Sequence, residues 1–293
     1  MSQVVTAAMV KELRERTGGG LLECKKALDA SGGDIEVAID AMRTSGQAKA
    51  AKKSGRIAAE GVVVIHVSED GKTAFMAEIN CETDFVARDE NFKKFADMIA
   101  ACGLKAGVDS VEKLLALPTD TGKTVAEARE ELVAKIGENI QVRRVVLMTS
   151  ENHIAHYLHS ARIGVLVDMS VANDELGKDI AMHVVASSPQ FVSAKDVAPT
   201  LIEREKAIYL AQAVESGKPQ AIAEKMVTGR LQKFLGEITL LGQPFVKNPD
   251  ITIENLLKNQ KTEVKSFVRF AVGEGIEKET TDFAAEVAAQ IGK

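Results

Sequence analysis

The sequence predicts an α+β protein: an N-terminal three-helix bundle, two α+β subdomains with antiparallel sheets, an inserted antiparallel helical hairpin and a C-terminal helix. Three observations carry that reading. Short amphipathic segments separated by glycine clusters fill the first 45 residues. Strand-like blocks with hairpin chemistry then alternate with helical ones, twice over, which points to antiparallel sheets covered by helices. Two long helical stretches joined by Gly217-Lys218-Pro219 interrupt the second of these units.

The first helix spans Ala7 to Arg16, with Thr6 as N-cap and Val10 and Leu13 on one face. Thr17-Gly18-Gly19-Gly20 ends it, because glycine accepts the left-handed backbone of a sharp turn. The second, Leu21 to Ala30, presents Leu21, Cys24 and Leu28; the third follows Asp34 and carries Ile35, Ala38, Ile39 and Met42. Gln47 to Arg56, with Lys49, Lys52, Lys53 and Arg56, reads as a solvated basic connector, so residues 1–55 form a first unit. In the next, residues 56–150, strands at Val62–Val67 and Thr73–Ile79 flank Asp70-Gly71, a hairpin signal. A helix follows at Asn91–Cys102 and a third strand at Ile140–Met148. In residues 151–272 the same order recurs: a strand at Ile163–Met169, a helix at Glu175–Ser187 and a late strand at Val264–Val272.

The inserted hairpin occupies about 197–235. Leu201, Ile208 and Glu215 repeat at seven, with Ile202 and Ala211 beside them; Ile222, Met226, Leu231 and Phe234 supply the returning stripe. Helices of similar length joined by three residues must lie antiparallel. In residues 273–293, Phe283, Val287 and Ile291 form the apolar stripe of a terminal helix.

Composition excludes several classes. A net charge of −5 lacks the basic signature of a dedicated nucleic-acid binder. No apolar run approaches the roughly 18 residues of a membrane span. Met1-Ser2-Gln3-Val4-Val5-Thr6 lacks the basic segment and apolar core of a signal peptide. Cys24, Cys81 and Cys102 are an odd, widely spaced set, which argues against a disulfide framework and fits a reducing cytoplasm.

The enzyme templates also fail. Gly18-Gly19-Gly20 is followed by two leucines where a phosphate loop needs Lys-Ser/Thr, and Gly273-Glu274-Gly275 lacks the third glycine of a dinucleotide loop. Cys81 beside Glu82 and Asp84 is a poor nucleophile, since carboxylates raise a thiol pKa. His153, His156 and His159 are spaced by three but lack a cysteine or carboxylate at matching spacing, so no metal site is assigned. His183 lies in the apolar run Ile180–Val185 and reads as a core residue.

The segment most informative about function is Asn80-Cys81-Glu82-Thr83-Asp84-Phe85-Val86-Ala87-Arg88-Asp89, between a strand and a helix. Such a junction holds a short side-chain pair rigidly at the rim of a fold. Two readings follow: Thr83 caps a helix and Phe85 faces the core, or Asp84 and Phe85 are displayed to a partner. Thr281-Asp282-Phe283 repeats the triplet where a helix cap suffices.

Thr83 to Val86 resembles the Thr-Asp-Phe-Val motif of the elongation factor Ts family. The resemblance extends, in the family's order, over Val10 to Thr17, Cys24 to Leu28, Ala134 to Asn139 with Arg143 and Arg144, His159 to Val165, the helical hairpin, Gly242 to Phe245 and Gly273 to Lys278. It implies that the N-terminal bundle is of the ubiquitin-associated type, that the hairpin is a projecting coiled coil and that the C-terminal module faces elongation factor Tu. It also implies a guanine nucleotide exchange factor with no covalent chemistry and no cofactor or metal of its own. Thr83, Asp84, Phe85 and Val86 would disturb the partner's Mg²⁺ site, and Lys25, Ile136, Gly137, His159 and Phe283 would contact the partner. A homodimer, or a heterotetramer with elongation factor Tu, is compatible with it. Two rival readings are an RNA-binding translation or ribosome-assembly factor using Lys49–Arg56 with Arg143 and Arg144, and a thiol enzyme built on Cys81.

Overall fold

The computed structural model describes residues 4–215 and 220–277 of the 293. Elements run in the order α1 (Ala7–Thr17), α2 (Leu21–Ala30), α3 (Ile35–Lys53), β1 (Glu60–Val67), β2 (Thr73–Cys81), α4 (Asp84–Ala87), α5 (Glu90–Ala106), α6 (Val111–Leu115) and α7 (Val125–Ile136). They continue as β3 (Gln141–Thr149), β4 (His153–His159), β5 (Ile163–Met169), α8 (Asp174–Ser187), α9 (Pro199–Glu215), α10 (Gln220–Ile238), β6 (Pro244–Phe245), β7 (Asn248–Thr252), α11 (Ile253–Asn259) and β8 (Val264–Ala271). The Phe283 helix expected from the sequence, with Thr281 and Asp282, lies outside the described residues.

Helices α1 to α3 close a small core of Val10, Leu13, Cys24, Leu28 and Ala38. Thr6 caps α1 and Gly18 ends it at φ 68°, while Asp34 caps α3 by accepting from the Glu36 and Val37 amides. The connector expected at Gln47–Arg56 is corrected here, because α3 continues unbroken to Lys53. Gly46 is buried on this stretch, where an added Cβ would lie 3.4 Å from the Ala134 Cβ on α7. Ala50 belongs to the next core along the chain. The small residues therefore form a packing face, and the lysines snorkel from its edges.

Two three-stranded antiparallel sheets follow, in the orders β1-β2-β3 and β4-β5-β8. The middle strand of each is buried on both faces, which explains the nearly continuous apolar runs of β2 and β5. Alternation along β2 sends Phe75, Ala77, Ile79 and Cys81 toward the helical core and Ala74 and Met76 toward the other sheet. The sheets meet through Val63, Met76, Met148, Ile154, Leu166 and Phe270. Gly164 permits that approach, since a Cβ there would come within 2.6 Å of Val63. On the outer faces α5 and α8 come equally close: a Cβ on Gly103 would strike Phe75 at 2.3 Å, and one on Gly177 would strike Ala155 at 2.3 Å.

A buried carboxylate ties the sheets together. Glu78 on β2 accepts from Arg143 Nη1 at 3.1 Å, from Arg144 Nε at 2.6 Å and from the Gly273 amide at 2.8 Å. Arg144 also donates to the Ala271 carbonyl at 3.0 Å and stacks over the Phe270 ring at 4.2 Å. A fully buried carboxylate needs such a complete set of partners, because desolvation otherwise outweighs the Coulombic gain.

The helical pair α9 and α10 packs through Tyr209, Ala213, Ala223 and Val227. This corrects the stripe read from the sequence, in which Ile208 and Ile222 faced inward; both are exposed. Two alanines, Val227 and Tyr209 make the seam, and Ile208 and Ile222 fall outside it. His183 on α8 is buried, as its sequence context predicts: Nδ1 accepts from the Val246 amide at 3.2 Å, so Nε2 carries the proton toward Gln243 Oε1 at 2.9 Å. Among the described residues no helix is long and apolar enough to cross a membrane.

Candidate functional site

The junction after β2 is built around Thr83. Its side chain accepts from the Val86 amide at 3.3 Å and so caps α4, a single turn of four residues. Asp89 caps α5 immediately afterwards by accepting from the Asn91 and Phe92 amides at 2.8 and 3.2 Å. Two caps six residues apart force the chain to turn sharply between them. Phe85 sits on that corner.

Of the two sequence readings, Thr83 does cap, but Phe85 does not face the core: it is 79% exposed. Phe92, seven residues later, is fully buried and fills the core beneath. Asp84 is half-buried and pairs with Arg88 at 2.8 Å, an exposed i,i+4 pair of small energetic value.

The turn beneath Phe85 is clamped from a distant segment. Glu138 Oε2 accepts from the Glu82 and Thr83 amides, both at 3.0 Å, and Oε1 accepts from the Thr83 hydroxyl at 2.7 Å. Glu82 Oε1 in turn accepts from the Asn139 amide at 2.6 Å. Asn139, itself buried, donates its side-chain amide to the carbonyls of Arg56 at 2.7 Å and Ser54 at 3.3 Å. Hydrogen bonds to ionised acceptors are the stronger kind, so three of them on one carboxylate fix this backbone firmly. Glu138 escaped the sequence reading; its one signal was its place within the segment Ala134–Asn139.

The remaining predicted residues fall at varying distances from the corner. Ile136 is half-buried against the core, and Gly137 ends α7 at φ 91° while its carbonyl accepts from Lys53. Through Glu138 they adjoin the Thr83 turn. His159 is exposed at the end of β4, its Nδ1 3.2 Å from the Tyr157 hydroxyl. Residues next to it, Leu158, Ala161 and Arg162, face Asp84 and Arg88 across a groove of about 450 Å³. The Thr83–Val86 turn and the His159 hairpin, far apart in sequence, thus share one rim. Lys25 is exposed on α2, away from that groove, and Phe283 lies outside the described residues.

Most residues of the rival chemistries are engaged within the fold, while Lys52 stays exposed. Cys81 is fully buried and donates to the Thr83 carbonyl at 3.2 Å. Burial first, then the nearby Glu138 and Glu60 carboxylates, push its thiol up to about 12, so no thiolate forms near neutrality. Because His153 and His159 lie on one strand face and His156 on the other, the three imidazoles do not converge. Arg143 and Arg144 are engaged by Glu78, Lys49 by Glu23, and Arg56 by Glu82 at 3.5 Å.

A family profile described as Elongation factor TS matches residues 82–274, from this turn to the end of the sheet region. The chain belongs to the elongation factor Ts family. It is 58% identical over 288 residues to the elongation factor Ts of Methylococcus capsulatus, covering 98% of each chain. The elongation factor Ts of Idiomarina loihiensis is 54% identical over 287 residues, covering 98% of this chain and 97% of its own. That of Coxiella burnetii is 53% identical over 289 residues, with 98% of each covered. Membership of the elongation factor Ts family places the chain among translation elongation factors.

Proposed function

We propose that this chain is a guanine nucleotide exchange factor for elongation factor Tu, working through Asp84 and Phe85 on the clamped turn. The observation that supports it most is Phe85, exposed on a backbone that Glu138 and two helix caps hold in place. A rigid turn of this kind delivers an aromatic ring with little ordering cost at the moment of binding. Burying the ring in a partner's crevice would contribute roughly 1.5–3 kcal/mol, enough to displace a neighbouring element.

A GTPase holds its nucleotide through backbone donors and a Mg²⁺ ion that bridges phosphate oxygens to protein ligands. Mg²⁺ demands near-ideal octahedral geometry, so a small shift of those ligands removes much of its binding. Phe85 acts as the wedge and Asp84 as a carboxylate competing near the disturbed site. Thr83 and Val86 keep the pair in place, while Ile136, Gly137 and His159 extend the contact along the rim. Lys25 docks the N-terminal bundle on the GTPase, and Phe283 serves the C-terminal contact. The effect is reciprocal: a factor that weakens GDP binding is itself weakened by GDP to the same extent. No covalent bond is made or broken, no cofactor is required, and the cytoplasm is the working compartment.

The finer architecture belongs to the same reading: a ubiquitin-associated-like bundle through residue 55, core units over 56–150 and 151–272, a coiled-coil hairpin within the second and a C-terminal module over 273–293. Either a homodimer or a heterotetramer with elongation factor Tu is open to it. The test is release of labelled GDP from elongation factor Tu with and without this chain. Acceleration by the wild type that is lost in Phe85→Ala, with the melting temperature kept, supports the wedge. Unchanged release with folded Phe85→Ala protein removes it.

A further inference from the structure

Helix α3 belongs to two cores at once. Its first half packs Ala38, Ile39 and Met42 among α1 and α2, and its second half packs Ala50 into the core beneath β2. Arg43 pairs with Glu127 on α7, and Lys53 donates to the Gly137 carbonyl at the end of that helix. At 19 residues α3 is about 28 Å long, so it links the three-helix group to the sheet region as a strut.

The lower end of this strut meets the segment that clamps Phe85. Three consecutive residues divide the work. Gly137 receives Lys53, Glu138 grips Thr83, and Asn139 binds the Ser54 and Arg56 carbonyls while its own amide binds Glu82. An exit from α3 and an exit from β2 are therefore fastened to the same three residues. Nothing in the small core of α1 to α3 requires Lys53 or Asn139, and neither residue lies in the groove beside Asp84. Their contacts serve orientation.

We propose that Lys53 and Asn139 form a fixed joint that sets the angle between the three-helix group and the Phe85 turn, as positioning residues for two-point docking on one partner. The inference rests on the exchange function proposed above. Two contacts on one rigid frame make the second binding event intramolecular, and a loosened frame lowers its effective concentration without touching either contact. Loosening therefore raises the amount of factor needed while leaving the rate at saturation unchanged.

The experiment uses the full chain with spin labels at Asp29→Cys on α2 and Lys105→Cys on α5, both exposed, in a Cys102→Ala background; Cys24 and Cys81 are fully buried. Pulsed dipolar distance measurement is made on this frame, on Lys53→Met and on Asn139→Asp. Lys53→Met removes the donor but keeps a helix-forming chain of similar length, so it stands if Asn139→Asp folds poorly. The parent should give one narrow distance distribution and the variants a broad one. In release of labelled GDP from elongation factor Tu, the half-saturating concentration should rise about 3- to 10-fold with Lys53→Met while the plateau rate is unchanged; Asn139→Asp, which adjoins the clamped Glu82, is read by its distances alone. Equally narrow distributions in the variants overturn the joint. Broad distributions with an unchanged half-saturating concentration overturn its docking role. Should the wild type itself fail to accelerate release, the exchange reading and the docking role fall together, while the distance widths still decide whether the joint is fixed.

Discussion

The two halves of the sheet region run the same plan and differ at one corner. In each, a buried middle strand leads through a capped Asp into a helix: Thr83-Asp84-Phe85 after β2, Asn173-Asp174-Glu175 after β5. In each, the exit of the middle strand is tied to the entrance of the third. In the second half the tie is short: the Ser170 amide donates to the Glu263 carbonyl at 2.9 Å and the Glu263 amide to the Ser170 hydroxyl at 2.8 Å. In the first it is the Glu138 clamp, which reaches the cap itself. The fold thus needs a polar tie and a cap at this position but neither an aromatic ring nor a carboxylate clamp. Where the second half places exposed Glu175, the first displays Phe85. That difference is what the folding of the corner leaves unexplained, and the proposed role of Phe85 would account for it.

The comparison can be tested in descending order of effect on stability. Phe92→Ala empties a fully buried site below the corner and should cost about 3–5 kcal/mol by denaturant unfolding. A loss below 1 kcal/mol would show that the first half's core is not packed as described. Glu138→Ala strands two amides and should cost about 1–3 kcal/mol. Hydrogen exchange should then quicken at Glu82 and Thr83, with the Ser170 region unaffected.

A smaller change belongs to the second half alone. Burial pushes the His183 imidazole below its ordinary value, with the Gln243 bond opposing it weakly. The unfolded chain therefore binds the proton more readily, so His183 contributes stability that is complete above about pH 6.5 and declines as pH falls below it. Protonated Nδ1 would also face the Val246 amide, donor against donor. Urea midpoints at pH 7 and pH 5 should fall less in His183→Gln than in wild type; an equal fall excludes this group.

The smallest effect on folding is the sharpest on function. Phe85→Glu gives the first corner the residue of the second, and unfolding free energy should stay within about 0.5 kcal/mol of wild type. GDP release from elongation factor Tu should nonetheless drop steeply. A stable variant with full activity would make the two corners equivalent.

Legibility in the sequence followed the range of the forces involved. The glycine-bounded helices α1 and α2 and the β1–β2 hairpin are set by local periodicity and turn chemistry, and their residues announce them. Thr73 to Ile79 reads as a half-buried strand, and the burial of its second face was not legible because Ile154, Leu166 and Phe270 of the other sheet supply it. The sequence understates helix α3 because Ala and Lys in alternation mark a solvated face unless something covers the small residues, and α7 does so from 84 residues away. Helices α6 and α7, the β6–β7 pair and α11 are short or weakly striped and give no clear signal in the sequence. At the corner, the cap at Thr83 was legible. The outward turn of Phe85 was not, since one helical turn has no periodicity to consult, and the Glu138 clamp spans 55 residues.

Glu78 has a further consequence, for the order in which the chain can settle. Its carboxylate completes its coordination with the Gly273 amide, 195 residues downstream. At synthesis rates of roughly 5–20 residues per second, that donor emerges about 10–40 s after the carboxylate it serves. Until then the first sheet holds a carboxylate whose charge Arg143 and Arg144 offset but whose backbone donor is still missing, on the face that will later meet β8. On the ribosome, the sheet begun first is finished last.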